Sequence, residues 1–307
     1  MSKKNSWVSY INGNYRVYLN LENGTKIRMN DLDNLTPSHP ESMDIKICNR
    51  CNMCCPYCHE DSTVDGELGD IMNAKFIDTL LPYTELAIGG GNPLEHPDLV
   101  NFLIKCKSLK LVPSITVHQK HFLENIELLR KLRDDKLVYG LGVSITNVTP
   151  ELIENLKEFP NAVCHIIAGI ASESVINKLA NNNLKILILG YKTFRRGEVL
   201  YNKDSSNIDF LIQYMYDILP EMIEKNWFNT ISFDNLAIEQ LNPKRLMSEE
   251  QYKEFYMGDD GSHTCYVDLV KKEFAISSTS IERYPLLDDI RDMFAIVTKS
   301  SGHSIEI

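Results

Sequence analysis

Polar and apolar positions along the chain change their period near residue 43. Before that point they alternate. Trp7, Val8 and Tyr10 run into Asn12-Gly13-Asn14, then Tyr15, Val17 and Leu19 follow with polar residues between them. Asn23-Gly24 offers a second turn before Thr25-Lys26-Ile27-Arg28. Period two broken by Asn-Gly turns predicts a small β-meander. Pro37 and Pro40 mark 31–42 as a linker. From Met43-Asp44-Ile45-Lys46-Ile47, itself an alternating strand, short apolar runs trade places with stretches of helical period.

Expected helices fall at about 72–82, 97–107 (with Pro97 in the first turn), from Phe122 through Ile126, Leu129 and Leu132, then at 150–158, 172–180 and 206–225. Expected strands fall at 85–88, 114–118, 137–145, 162–167, 184–189 and 230–233. Leu184-Lys185-Ile186-Leu187-Ile188-Leu189 is nearly all apolar, as a central parallel strand is. Counted from Ile45, seven strands alternate with helices. That alternation implies parallel strands joined by right-handed crossovers. Past 240 the rhythm breaks: a helix near 248–257, a hairpin around Lys271-Lys272, and a closing helix at about 286–298. The expected organisation is a meander and linker at 1–42, a parallel α/β domain at 43–239, and a C-terminal α+β cap at 240–307.

Composition adds little to the fold and more to the setting. The chain has 307 residues, 43% hydrophobic and 24% charged, ordinary for a soluble protein. No apolar run approaches the roughly 18 residues that span a bilayer, so no membrane partner is expected. The first residues hold no apolar signal core, which predicts a cytoplasmic protein. A net charge of −10 argues against a nucleic-acid backbone as partner. Eight cysteines in such a compartment point to thiols and a metal centre, not to disulfides.

Five of the eight cysteines lie in Cys48-Asn49-Arg50-Cys51-Asn52-Met53-Cys54-Cys55-Pro56-Tyr57-Cys58. Thiolates are soft ligands for zinc and for iron–sulfur clusters. Three groupings are open. Cys48, Cys51, Cys54 and Cys58 have the C-x2-C-x2-C-x3-C spacing of a ferredoxin, but His59 stands where proline should follow. Two C-x2-C pairs, Cys48/Cys51 and Cys55/Cys58, suggest zinc, yet only three residues separate them. Cys51, Cys55 and Cys58 form C-x3-C-x2-C with an aromatic before the last cysteine.

The third grouping, with Gly89-Gly90-Gly91-Asn92-Pro93 after the second strand, resembles the radical S-adenosylmethionine (radical SAM) superfamily over about residues 43–235. The resemblance implies a partial (βα)6-type barrel. It implies a [4Fe–4S] cluster on Cys51, Cys55 and Cys58, whose fourth iron binds S-adenosylmethionine. It also implies a 5′-deoxyadenosyl radical that takes hydrogen from a substrate, and a one-electron reductant such as flavodoxin or ferredoxin. Tyr57 and the run Gly89, Gly90 and Gly91 would hold the cofactor. Asn92 stands where the family has glutamate and would accept from the cofactor's amine without full charge.

Further candidates follow from the same resemblance and from strand ends, where such barrels collect their sites. Ser144 ends the fourth strand, as a contact to the cofactor's ribose or carboxylate, or as a solvated end. His165 and Gly169 lie near the expected adenine; His165 also fits a core histidine. Lys192 and Arg195, with Arg196, follow the sixth strand and suit a carboxylate or phosphate on cofactor or substrate. Cys265 is expected at the barrel mouth as a hydrogen donor to a substrate radical; Cys106 and Cys164 read as packing residues. The substrate is read as a peptide or protein framed by meander and cap. A small metabolite or nucleotide is the alternative within the family, and a non-enzymatic iron–sulfur electron carrier the alternative outside it.

Overall fold

The computed structural model describes residues 6–31 and 34–302. Residues 1–5 and 303–307, in the expected terminal segments, and 32–33, in the expected linker, lie outside the described residues.

β1 (Trp7–Asn12), β2 (Tyr15–Asn20) and β3 (Lys26–Met29) form a separate antiparallel sheet. Gly13, at φ 59°, makes the first turn; a Cβ there would lie 1.9 Å from the Thr36 carbonyl oxygen, so only glycine fits. Tyr10, Tyr15 and Val17 point inward onto Leu35, Leu81 and Tyr83. A buried carboxylate, Glu41, ties this sheet to the rest: Lys26 Nζ is 3.3 Å and Arg28 Nε 2.8 Å from it, and the Tyr15 hydroxyl donates to it.

The main sheet starts at β4 (Ser42–Cys48). It continues through β5 (Glu85–Gly90), β6 (Val112–His118), β7 (Gly140–Ser144), β8 (Ala162–Ile167), β9 (Lys185–Leu189) and β10 (Thr230–Phe233). These neighbour one another in chain order, all parallel. Between them run α1 (Leu99–Ser108), α2 (Gln119–Glu124), α3 (Ile126–Asp134), α4 (Pro150–Lys157), α5 (Glu173–Leu179) and α6 (Arg196–Glu224). Along β6, β8 and β9 every second residue is buried. Ile115, Val117, Cys164, Ile166, Ile186 and Ile188 belong to the main hydrophobic core, each such side chain worth roughly 1.5–3 kcal/mol on burial. The alternate set, including Thr116, His118 and His165, lines an interior cavity. This is a partial barrel whose curved sheet keeps its helices outside.

The C-terminal segment caps the barrel by joining its sheet. After α7 (Asn235–Leu241) and α8 (Glu249–Phe255), β11 (Thr264–Asp268) pairs parallel with β4. β12 (Glu273–Ala275) and β13 (Tyr284–Pro285) extend the sheet antiparallel, and α9 (Ile290–Ser300) closes it. Within the described residues the sheet is ten-stranded and open, with β10 and β13 at its edges.

Several helices depart from expectation for local reasons. The helix expected at 72–82 shrinks to a 3-10 turn, Lys75–Thr79. Ala74 offers no side-chain cap, and Pro82 keeps Leu81 out of the helical region. The 122–132 helix is two, since Asn125 at φ −121° breaks it. α6 begins ten residues before the expected 206 and absorbs a break at Asp204. No described helix is long and apolar enough to cross a membrane.

Candidate active site

β4 delivers the cysteine loop to the carboxyl end of the sheet. The loop folds back on itself: Asn49 N–H donates to the Glu67 carbonyl (2.7 Å), Cys51 N–H to Thr63 (2.8 Å), and Gly69 N–H to Ile47 (2.8 Å). The glycine run is stitched to it, with Gly91 N–H on the Cys48 carbonyl (2.8 Å) and Asn92 N–H on that of Arg50 (2.7 Å). Two stretches forty residues apart in sequence are thus one platform.

The interior cavity holds about 310 Å³. Cys51, Cys55, Cys58, Tyr57, Gly89, Gly90, Gly91, Ser144, His165 and Lys192 all border it. The remaining two loop cysteines do not. Cys48 is fully buried, its thiol 3.3 Å from the Asn92 carbonyl oxygen, and burial pushes it up to about 11. Cys54, in the left-handed region at φ 49°, is exposed. Burial also raises the thiols of Cys51 and Cys55, and Tyr57 stands against Cys55. Among the described residues no three His, Cys, Asp or Glu side chains converge on one point as ligands of a single ion do. A cubane spreads its irons, so its thiolates stand apart. Three cavity-facing thiols, with open space at Gly89 where a Cβ would meet nothing within 4 Å, fit such a cluster and a ligand beside it.

His165 is not a satisfied core residue. Its ring lies on Gly142, where a Cβ would be 2.4 Å from Cε1. That ring makes no hydrogen bond within the described residues, and burial lowers it to about 4, so it is neutral at pH 7. His118, across the strand pairing from Ser144, is likewise lowered to about 4 by burial, then by His121.

Four expectations are corrected by position. Asn92 does not face the cavity: its oxygen accepts from Leu94 N–H and its amide donates to Glu95, capping a 3-10 turn. Gly169 packs against Tyr191 and Ile208, outside the cavity lining. The Arg195 guanidinium clamps the cysteine loop, 3.3 Å from the His59 carbonyl oxygen and 3.1 Å from that of Glu60. Cys265 is on the wrong face for a hydrogen donor. Strand alternation puts Tyr266 on the cavity and sends the Cys265 thiol into the core beside Met43, where burial raises it strongly.

Sequence reasoning missed the charged half of the cavity. Lys46, 2% exposed, sits 2.8 Å from Glu60 and 3.4 Å from Asp268. Burial works to raise the Glu60 carboxyl, but His59 and Lys46 outweigh it and hold it below the carboxylate range. Burial, then Lys192, pushes His59 down, so Lys46 carries the charge pairing. Asp44 also faces the cavity. The signal was the polar half of Met43-Asp44-Ile45-Lys46-Ile47, which must face the opposite way from the apolar half.

No family model matches the chain. Over 137 residues it is 31% identical to a probable GTP 3′,8-cyclase of Methanocaldococcus jannaschii, covering 42% of this chain and 44% of that protein. The chain thus spans less than half the length of that relative. Streptococcus suis SuiB bound to precursor peptide SuiA superposes with a TM-score of 0.64 at 13% identity, over 95% of this chain and 87% of that one. SuiB bound to S-adenosylmethionine gives 0.58 with the same identity and coverage. The fold is shared across nearly the whole chain.

Proposed function

We propose that the chain is a radical SAM enzyme, which cleaves S-adenosylmethionine reductively and takes hydrogen from a peptide or protein substrate. The observation that carries this is the sorting of the five loop cysteines: Cys51, Cys55 and Cys58 border the cavity, while Cys48 is buried and Cys54 faces out. Those three would hold a [4Fe–4S] cluster, which would supply the electron for reductive cleavage of S-adenosylmethionine. The platform Gly89-Gly90-Gly91 lets that cofactor approach the backbone, with Tyr57, Ser144 and neutral His165 around it. Arg195 and the Lys46–Glu60 pair position the loop.

The peptide reading rests on the likeness to SuiB, solved with a precursor peptide, which covers far more of this chain than the match to the cyclase. That match, to an enzyme named for GTP, supports a nucleotide as second reading. The electron donor is proposed to be a flavodoxin or ferredoxin.

The test is a cysteine series reconstituted anaerobically with iron and sulfide. Cys51→Ala, Cys55→Ala and Cys58→Ala are each expected to lose the cluster, by iron content and electron paramagnetic resonance. Cys48→Ala and Cys54→Ala are expected to keep it and to show a spectrum perturbed by S-adenosylmethionine. Loss in Cys48→Ala and Cys54→Ala with retention in Cys55→Ala would establish the electron carrier instead.

A further inference from the structure

We infer that Arg195 and the first turns of α6, up to Lys203, form a latch over the cysteine loop, and that cluster loading and latch closure stabilise each other. The inference rests on the radical reading only in taking Cys51, Cys55 and Cys58 as the holders of the cluster.

The latch grips the residues that directly follow Cys58. Arg195 Nη1 lies 3.3 Å from the His59 carbonyl oxygen and 3.1 Å from that of Glu60, with the Glu60 carboxylate at 3.9 Å. Arg196 Nε is 2.9 Å from the Asp61 carboxylate, and its Nη2 donates to the Ser62 carbonyl. Two consecutive arginines thus meet His59, Glu60, Asp61 and Ser62 in turn. Hydrogen bonds from a guanidinium are among the stronger ones a loop can receive.

Little else holds this segment. From Arg196 to Lys203 only Gly197 is buried, and none of these residues belongs to either hydrophobic core. Val199 is 68% exposed. The Tyr191 hydroxyl donates to the Gly197 carbonyl (2.7 Å), and the Tyr201 hydroxyl to Asp209 (3.1 Å). Both ends are jointed. Arg195 sits at φ 51°, ψ −122°, a backbone that residues with a Cβ rarely adopt. At Asp204, with φ −146° and ψ 42°, the helix is broken, and burial resumes past it at Ile208. A strained residue persists only where its surroundings hold it there. For Arg195 those surroundings include the loop that its own side chain grips.

A cluster on Cys51, Cys55 and Cys58 would tie that loop at three points. Without it the loop has fewer constraints, and so has the latch seated on it. Parting Cys58 from a cluster displaces the residues that follow, which are the ones the arginines hold. Coupling between two such equilibria is reciprocal. Loading therefore favours the closed latch, and the closed latch retains the cluster.

The experiment compares protein reconstituted anaerobically with iron and sulfide against the unloaded protein, by hydrogen exchange and mass spectrometry. Exchange across 195–204 is expected to slow on loading, and in Arg196→Ala that difference is expected to shrink. Iron loss to excess ferrous chelator is expected to run about tenfold faster in Arg196→Ala and in Arg195→Ala, the loss of one charge-assisted contact. Arg196→Lys is expected to fall between, and Val199→Ala, on the exposed side of the same helix, to match the wild type. Equal exchange across 195–204 in loaded and unloaded wild-type protein would overturn the inference. So would wild-type iron release in both arginine variants. Faster exchange of Arg196→Ala along the whole unloaded chain would show a general loss of stability and would overturn it too. A wild-type chain that takes up no cluster sinks the radical reading and the latch together, whereas a loaded chain that gives any of the contrary results sinks the latch alone.

Discussion

Gly89 and Gly91 are two places apart in one glycine run and have opposite surroundings. A Cβ at Gly89 meets nothing within 4 Å, while at Gly91 it falls 2.1 Å from the Arg50 carbonyl oxygen of the cysteine loop. Gly91→Ala must push that loop away. It is expected to destabilise the unloaded protein by about 1–3 kcal/mol and to reduce iron retention. Gly89→Ala points a methyl into the cavity; its stability is expected to stay within about 0.5 kcal/mol while S-adenosylmethionine binding weakens. Thermal denaturation and cofactor titration of the two variants check the contrast. Spacing in the sequence singled out Cys51, Cys55 and Cys58, and these three border the cavity. Facing was not legible at Cys265, since it depends on the register of β11 against β4, a pairing between segments more than two hundred residues apart. Asn92 was misread for a related reason: its amide serves the local turn at Leu94 and Glu95, and a motif does not reveal that competition.

At the scale of elements, the strand ends are held by a buried ionic knot. Lys46 of β4, Glu60 of the cysteine loop, Asp268 of β11 and Arg195 before α6 join four segments. Removing one partner of a buried pair strands the other. Glu60→Ala is therefore expected to cost about 3–5 kcal/mol, and the triple variant Lys46→Met, Glu60→Leu, Asp268→Asn distinctly less. Urea unfolding of the unloaded protein measures both; equal losses would show that packing, not charge, sets the cost. The main strands were legible because period two and apolar runs survive burial in a sheet. Helices were less so. α7 sits between Asp234, whose side chain caps it, and left-handed Asn242, signals too local to stand out in a loop-like stretch. The start of α6 at Arg196 lies in a polar run, where tertiary contacts to the cysteine loop, not periodicity, fix the helix.

The whole molecule is held together across its two sheets by Glu41. Burial would raise this carboxyl, but Lys26 and then Arg28 outweigh that and lower it. A carboxyl depressed on folding contributes stability above its ordinary value near 4.5 and loses it as pH falls through the folded value. The wild-type denaturant midpoint is expected to drop as pH falls below about 4.5, and Glu41→Gln to flatten that drop. Equal pH dependence in the two proteins would show that the anchor lies elsewhere. The open barrel was legible from the strand–helix alternation. The way the C-terminal segment completes it, by setting β11 parallel beside β4, was not, since strand order across a sheet leaves no trace in hydrophobic period.

The central claim joins fold to chemistry: the cavity-facing cysteines serve a cluster that cleaves S-adenosylmethionine. The direct test is to reduce the anaerobically reconstituted protein, add S-adenosylmethionine, and look for 5′-deoxyadenosine by mass spectrometry. The account predicts that it forms with the wild-type chain and is absent with Cys55→Ala. A reduced, intact cluster that leaves the cofactor whole, with and without candidate peptides, would contradict it.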